Sequence, residues 1–147
     1  MTATPAHPEL FNRVEASFLR QGMMQQLGAR LVSVEPGICV IALPYSDRVT
    51  QQQGGFHGGA MGALADIAGG YAALTTVPED SEVTTAEYKV NFLAAFQGGE
   101  LVATGRVLKA GRRIIVTSAE VMHHDGQGKQ TTCAVMQQTI VPVVKTY

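Results

Sequence analysis

The sequence predicts an α+β fold in which an antiparallel sheet packs on one central helix. Three observations predict it: a segment from Gly58 to Val77 that is apolar nearly all round, a series of strand-like runs after it, and short turns joining those runs. A helix without a polar face needs cover on every side, so the sheet must wrap it. No internal repeat, low-complexity stretch or linker divides the 147 residues, and residues 1–147 form one domain with room for a real core.

The elements follow in order. Leu10, Phe11, Val14, Phe18 and Met23 or Met24 fall near helical spacing and predict one amphipathic helix over about Pro8 to Leu27, weakened at Gly22, so that residues 1–27 form an N-terminal helical extension. The period changes after Gly28. Leu31 to Val34 and Ile38 to Leu43, separated by Glu35-Pro36-Gly37, predict a β-hairpin, and Tyr45 to Phe56 is a polar loop with three consecutive glutamines. The apolar helix ends before the turn Pro78-Glu79-Asp80-Ser81. In the next strand Ala86, Tyr88, Val90 and Phe92 fall on one face and Thr85, Glu87, Lys89 and Asn91 on the other, which predicts half burial. Turns at Gln97-Gly98-Gly99-Glu100, Ala110-Gly111-Arg112 and Asp125-Gly126-Gln127-Gly128 lead into strands at Leu101 to Lys109, Ile114 to Met122 and Gln130 to Val141, an antiparallel meander.

Charge excludes two classes of partner. With 11 basic and 12 acidic residues and a net charge of -1, the chain has no field to attract nucleic acid or an anionic membrane. Met1 to Pro8 hold no apolar signal core and no apolar run is long enough to span a bilayer, so a cytoplasmic protein is expected. Cys39 and Cys133 show no CxxC or zinc spacing and are expected as reduced thiols buried in strands; nothing places a base beside Cys133. His123-His124-Asp125 resembles a small metal cluster but lies at a hairpin turn where side chains diverge, so a solvated turn is expected and no metal.

The chemistry concentrates at one place. Asp66 is the only charge between Gly58 and Val77, and an ionised carboxylate in such surroundings is costly unless it is paired or used. Upstream, His57-Gly58-Gly59 forms a Gly-rich helix entry where backbone N–H groups lack helical partners and a substrate oxygen can approach. Together they suggest an electrophile held at the helix start and a base that activates water. A buried acid hydrogen-bonded to a neighbouring loop is the rival reading of Asp66. Nine residues separate His57 from Asp66, about 13 Å of rise and about two and a half turns, so the two point to nearly opposite sides. If both ends serve one reaction, Asp66 of one protomer acts beside Gly58 of another, and the sites lie in a dimer interface.

The run from Gln51 through His57-Gly58-Gly59 to Leu64-Ala65-Asp66, then Glu87-Tyr88-Lys89-Val90-Asn91-Phe92-Leu93 and Gly111-Arg112, resembles the hotdog-fold acyl-CoA thioesterases of the PaaI type over roughly Gly28 to Val141. The resemblance implies a curved sheet around a long helix, protomers joined edge to edge into a homodimer, and usually a dimer of dimers. It also implies hydrolysis of a coenzyme A thioester without metal or other cofactor. Asp66 then matches the general base or nucleophile, the N–H of Gly58 matches the carbonyl-polarising donor, and Gln51 matches an amide that places substrate or water. Thr85 lies where related enzymes often carry a small hydroxyl residue near the carboxylate. Gly70 is small where others carry a hydroxyl, which reshapes the acyl pocket, and Tyr71, Met61 and Phe56 are candidate lining.

His57 is expected mainly to orient the loop through a ring hydrogen bond. Gly59, Gly62, Gly69 and Gly70 are expected to let the sheet approach the helix. Arg112 and Arg113, with Lys109 nearby, are candidates for the coenzyme A phosphates, because guanidinium groups bind phosphate through paired donors; an ordinary charged turn is the alternative. The acyl group is left as aryl or straight medium-chain. Two other functions remain beside hydrolysis: an acyl-thioester dehydratase of the same fold, which needs a His and an acid at one carbon, and a non-catalytic acyl-CoA binding protein. A purely structural oligomer would not need Gly58-Gly59 at the helix start.

Overall fold

The computed structural model describes residues 5–147. Its elements are α1 (Pro8–Phe18), α2 (Gly22–Leu27), β1 (Arg30–Glu35), β2 (Ile38–Pro44), a short 3-10 turn (Asp47–Val49), α3 (Gly58–Leu74), β3 (Ser81–Phe92), β4 (Glu100–Ala110), β5 (Ile115–His124) and β6 (Gln130–Val144). The first four residues of the expected N-terminal extension lie outside the described residues.

The single N-terminal helix is in fact two. Arg20 and Gln21 donate to the Ser17 and Phe18 carbonyls in a tight turn, and Gln21 is extended before Gly22 opens α2. The break lets Phe18 and Met24 both turn inward, 4 % and 1 % exposed, which one straight helix of this pattern would not. It also frees the Gln21 amide to reach Tyr71 on α3, at 2.7 Å. The β1–β2 hairpin forms as expected. Its turn has Pro36 followed by Gly37 at φ 76°, the left-handed position of a type II turn.

α3 stops at Leu74, three residues before Val77. Thr75 and Thr76 turn their hydroxyls back onto the Ala72 and Ala73 carbonyls at 2.7 and 2.8 Å, satisfying acceptors that another helical turn would have used. Thr75 also accepts the Gly37 N–H at 2.8 Å, tying the helix end to the hairpin.

All six strands form one antiparallel sheet in the order β1-β2-β4-β5-β6-β3. Five of them, β2 to β6, contact α3, so the sheet curves round the helix as its apolar surface requires. The core between them holds Ile41, Leu43, Leu64, Leu74, Leu101 and Val121, all at most 2 % exposed. Helix and sheet meet most closely at one place. A Cβ on Gly105 of β4 would lie 2.2 Å from the Ala68 carbonyl oxygen, and one on Gly69 would lie 2.0 Å from Gln138 Oε1. The expected close approach therefore belongs to Gly69. Gly70 meets nothing within 4 Å and opens elsewhere.

β3 departs from simple alternation. Its pairing with β6 shifts between Thr85 and Glu87, with Thr85 opposite Ile140 and Glu87 opposite Thr139, which leaves Ala86 as the extra residue of a bulge. Thr85 thereby joins Tyr88, Val90 and Phe92 on the helix-facing side, in place of Ala86. The expected half burial is also reduced: β3 is an edge strand, and Tyr88 and Phe92 are 43 % and 52 % exposed.

Candidate active site

The entry to α3 is built by its preceding loop. His57 is the N-cap, its backbone extended, and its Nδ1 accepts the Gly59 N–H at 2.7 Å while its own N–H donates to the Val49 carbonyl at 2.7 Å. With Nδ1 an acceptor, the neutral ring carries its proton on Nε2. The ring hydrogen bond thus caps the helix. Gly58 is the first helical residue. Among the described residues its N–H has no hydrogen-bond partner, and it points out of the positive end of the helix.

Gln51 sits at the base of the same loop. Its backbone N–H donates to Gly55 O at 2.9 Å, its carbonyl accepts Gly54 N–H at 2.9 Å, and its side-chain oxygen accepts the Gln53 N–H. The loop is braced from behind by aromatic packing. Tyr45 packs edge-on to Phe56 at 5.2 Å, and the His123 ring stacks on Phe96 at 4.2 Å with Nε2 2.9 Å from the Gly98 carbonyl. This corrects the expectation of a solvated His123-His124-Asp125 turn: His123 is 5 % exposed because the 93–99 loop folds over it, whereas Asp125 is exposed. Among the described residues no three His, Cys, Asp or Glu side chains gather as a metal-binding group.

Asp66 lies two turns along α3 and is half-buried. Its Oδ1 accepts the Thr85 hydroxyl at 2.7 Å and a hydrogen bond from Gln138 Nε2. The same amide nitrogen lies 3.0 Å from Thr85 Oγ1 and 3.3 Å from the Asp66 carbonyl, and Gln138 Oε1 accepts the Thr117 hydroxyl at 2.7 Å. Gln138 and Thr117 are fully buried. Oδ2 has no partner among the described residues, yet no buried side-chain oxygen there is left unpaired, so Oδ2 is open to solvent.

Asp66 lines a cavity of about 280 Å³ together with Ile67, Gly70 and Tyr71 of α3 and Val83 and Thr85 of β3. Ser17, Arg20, Gln21, Glu82 and Tyr147 close its other side. That side is polar and internally bonded. Tyr71 OH accepts from Gln21 Nε2 and shares a hydrogen bond with Ser17 Oγ at 3.1 Å, and Tyr147 OH donates to Glu82 and lies 3.1 Å from Ser17 Oγ. Burial pushes the Tyr71 phenol up to about 12, so it is a neutral donor and acceptor at physiological pH.

One pocket therefore joins Asp66, Thr85 and Gly70. His57, Gly58 and Gln51 form a second group at the start of α3, about 12 Å of helix rise away along the same chain. Arg112 and Arg113 stand exposed in the β4–β5 turn and do not line the cavity. That turn lies at the sheet end where Ile115 pairs with Ile140 and Ile140 with Thr85. Of the other candidate lining residues, only Tyr71 reaches the cavity. Met61 and Phe56 are buried in the core, Phe56 because it packs on Tyr45 and His123. Burial pushes Cys133 up to about 11 and Cys39 up to about 12, so both free thiols stay protonated.

Sequence reasoning missed Gln138, Thr117 and the Ser17, Gln21 and Tyr147 wall. The signal for the first two was present: each is a polar residue in the inward register of an otherwise apolar strand, Ile115-Thr117-Ala119-Val121 and Met136-Gln138-Ile140.

Comparison with known proteins agrees with this fold. Residues 53–129 match the thioesterase superfamily. A 1,4-dihydroxy-2-naphthoyl-CoA hydrolase of Listeria monocytogenes is 33 % identical over 91 residues, 62 % of this chain and 74 % of that protein. The crystal structure of a thioesterase family protein from Silicibacter pomeroyi superposes with a TM-score of 0.88 at 34 % identity, covering 92 % of this chain and 99 % of that one. The E. coli PaaI protein of the phenylacetic acid degradation operon shares the fold, with a TM-score of 0.82 at 22 % identity over 94 % of this chain and 96 % of its own. With the family match spanning more than half of its residues, from the capped entry of α3 through the Asp66 pocket to the β5–β6 turn, the chain belongs to the thioesterase superfamily.

Proposed function

We propose that the protein hydrolyses acyl-CoA thioesters, aryl or medium-chain, in sites shared by two protomers. The observation that carries this reading is Asp66: a carboxylate that lines a cavity of acyl-group size, with one oxygen held by Thr85 and Gln138 and the other unpartnered and open to solvent. In the reaction, Asp66 takes a proton from water as the resulting hydroxide oxygen bonds to the thioester carbon, or it attacks that carbon itself to form an anhydride that water then opens. The carbonyl oxygen becomes an oxyanion facing the unpartnered N–H of Gly58 in the partner subunit, where a fixed donor is worth about a hundredfold or more in rate. In either route the oxyanion collapses with loss of the C–S bond, in the second before water opens the anhydride, and the coenzyme A thiolate leaves and takes up the proton that the water has given.

The two-chain arrangement is supported by the run of β3. Along α3, Thr85 sits at Asp66, Tyr88 approaches Gly62 and Phe92 lies against Gly58, so β3 and α3 run antiparallel with the two functional groups at opposite ends. β3 is an edge strand with its outer row of backbone groups unpaired. Antiparallel pairing of two such edges sets one chain's Asp66 end beside the other's Gly58 end. Gln51 then serves the Gly58 group, and Arg112 and Arg113 meet the phosphates of the nucleotide. Two such dimers pair in the full assembly, and the reaction takes place in the cytoplasm, where thiols such as Cys39 and Cys133 stay reduced.

A dehydratase is the poorer fit, because Nδ1 of the His57 ring is engaged at the helix cap. The test is release of free thiol from a panel of acyl-CoAs by the wild type and by Asp66→Asn. The variant should lose about a hundredfold or more in turnover while it folds and binds acyl-CoA normally. A purified Asp66→Asn enzyme with near wild-type turnover overturns Asp66 as the reacting group, and binding without any turnover in the wild type indicates a binding module.

A further inference from the structure

We propose that Gln138 is a positioning residue for the reaction, acting through Asp66 and itself held by Thr117. The inference rests on the reading of Asp66 above and adds a fixed chain of donors, Thr117 to Gln138 to Asp66.

The chain has one direction. Thr117 gives its hydroxyl proton to Gln138 Oε1 at 2.7 Å, which fixes the amide with its nitrogen towards α3. That NH2 group then meets three acceptors: Asp66 Oδ1, the Asp66 carbonyl at 3.3 Å and Thr85 Oγ1 at 3.0 Å. A flipped amide would set its oxygen against two oxygens of Asp66 and strand the Thr117 hydroxyl in the core, so the orientation is enforced from both sides. Because Gln138 accepts nothing from Thr85, the Thr85 hydroxyl is left to donate to Asp66 Oδ1. Oδ1 thereby receives two hydrogen bonds and is occupied. The carboxylate can neither rotate to exchange its oxygens nor turn away from the cavity, and Oδ2 becomes the oxygen that meets water or substrate.

The rest of the fold is arranged around this amide. Gln138 is fully buried on β6, a strand position where an apolar residue would pack without needing partners. α3 makes room for it with Gly69, where a Cβ would lie 2.0 Å from Gln138 Oε1 and 2.7 Å from Thr117 Oγ1. A buried polar chain, with a glycine clearing space for it beside the reacting carboxylate, serves to fix that carboxylate.

The experiment compares Gln138→Met, which keeps the length of the side chain but donates nothing, with the wild type on phenylacetyl-CoA and octanoyl-CoA. In the folded variant kcat should fall about tenfold to a hundredfold with KM changed less than about twofold, as expected when a reacting group loses its alignment but the binding walls remain. In an Asp66→Asn background the same substitution should cost nothing further, since there is no base left to align. If Gln138→Met does not fold, Thr117→Val and Thr117→Ser decide: the valine variant should show the same kcat loss in milder form, and serine should restore it. A folded Gln138→Met with wild-type kcat overturns the proposal, as does an equal loss with and without Asp66, or a Thr117→Val enzyme with wild-type kcat where the first variant cannot be made. Wild-type turnover by Asp66→Asn alone is a separate outcome, which removes the underlying reading and this proposal with it.

Discussion

Gly70 acts through the side chain it lacks. A Cβ there meets nothing within 4 Å, and the position lines the cavity one turn beyond Asp66. Gly70→Ala should therefore stabilise α3 by about 0.5–1 kcal/mol, seen as a raised thermal midpoint, because alanine loses less backbone freedom in a helix. Gly70→Leu should fill cavity space: kcat/KM for phenylacetyl-CoA falls about tenfold or more while acetyl-CoA is little affected. Equal rates of both substrates in wild type and variant would remove Gly70 from the acyl site. Residues were legible in the sequence in proportion to their contrast with their surroundings. Asp66 stood out as a lone charge on an apolar helix, and His57 and Gly58 as a break in composition before it. Gln138 lacked that contrast, because Gln137 beside it makes the pair look like ordinary strand polarity until the inward register is counted.

At the scale of elements, the order of helices and strands along the chain followed from punctuation by Pro, Gly and Asp. The expected four-strand meander is cut to β4, β5 and β6, because β3 crosses to the far edge of the sheet and pairs with β6 while β4 pairs with β2. Two further details did not follow. The split between α1 and α2 depends on Phe18, Met24 and Gln21 all finding partners on one side, a tertiary demand that helical spacing does not express. The Ala86 bulge depends on which β6 residue each β3 residue pairs with, and alternation in one strand carries no information about its neighbour. The β4–β5 turn tests the remaining expectation. Arg112 and Arg113 stand exposed there. Replacing both by Ala should raise KM for acyl-CoA severalfold with kcat unchanged, and leave an acyl-pantetheine lacking the nucleotide indifferent, because phosphates lie far from the reacting carbon. Equal losses on the two substrates would make the arginines structural.

For the whole molecule, the decisive question is whether one chain holds a complete site. Gly58→Pro removes the donor itself, and the position accepts it: Gly58 is the first residue of α3 and His57 before it is extended at ψ 136°. The Cβ contact it creates is with the ring tip of Phe92, an exposed side chain able to move. Co-expressed with Asp66→Asn, it should give mixed dimers with one intact and one doubly defective site, and about half of wild-type activity per isolated heterodimer, while each parent homodimer is nearly inactive. Natively folded heterodimers as inactive as their parents would show that both groups act within one chain.

The contact of Gly69 and Gly105 at the helix–sheet seam also separates what can vary in this enzyme from what cannot. There the backbone of α3 lies against the backbone of β4 and against the Thr117 and Gln138 side chains of β5 and β6, so a slide or turn of the helix meets all three, and Asp66 is carried on that closely held segment. The far wall of the cavity is of another kind. Ser17 and Gln21 at the α1–α2 break and Tyr147 at the end of the chain hold one another mainly by side-chain hydrogen bonds, with no sheet backbone locked behind them. Substitution in that wall reshapes the cavity without moving the segment that carries Asp66, so under the proposed function the choice of guest is open to change at the outermost residues while the seam stays as it is.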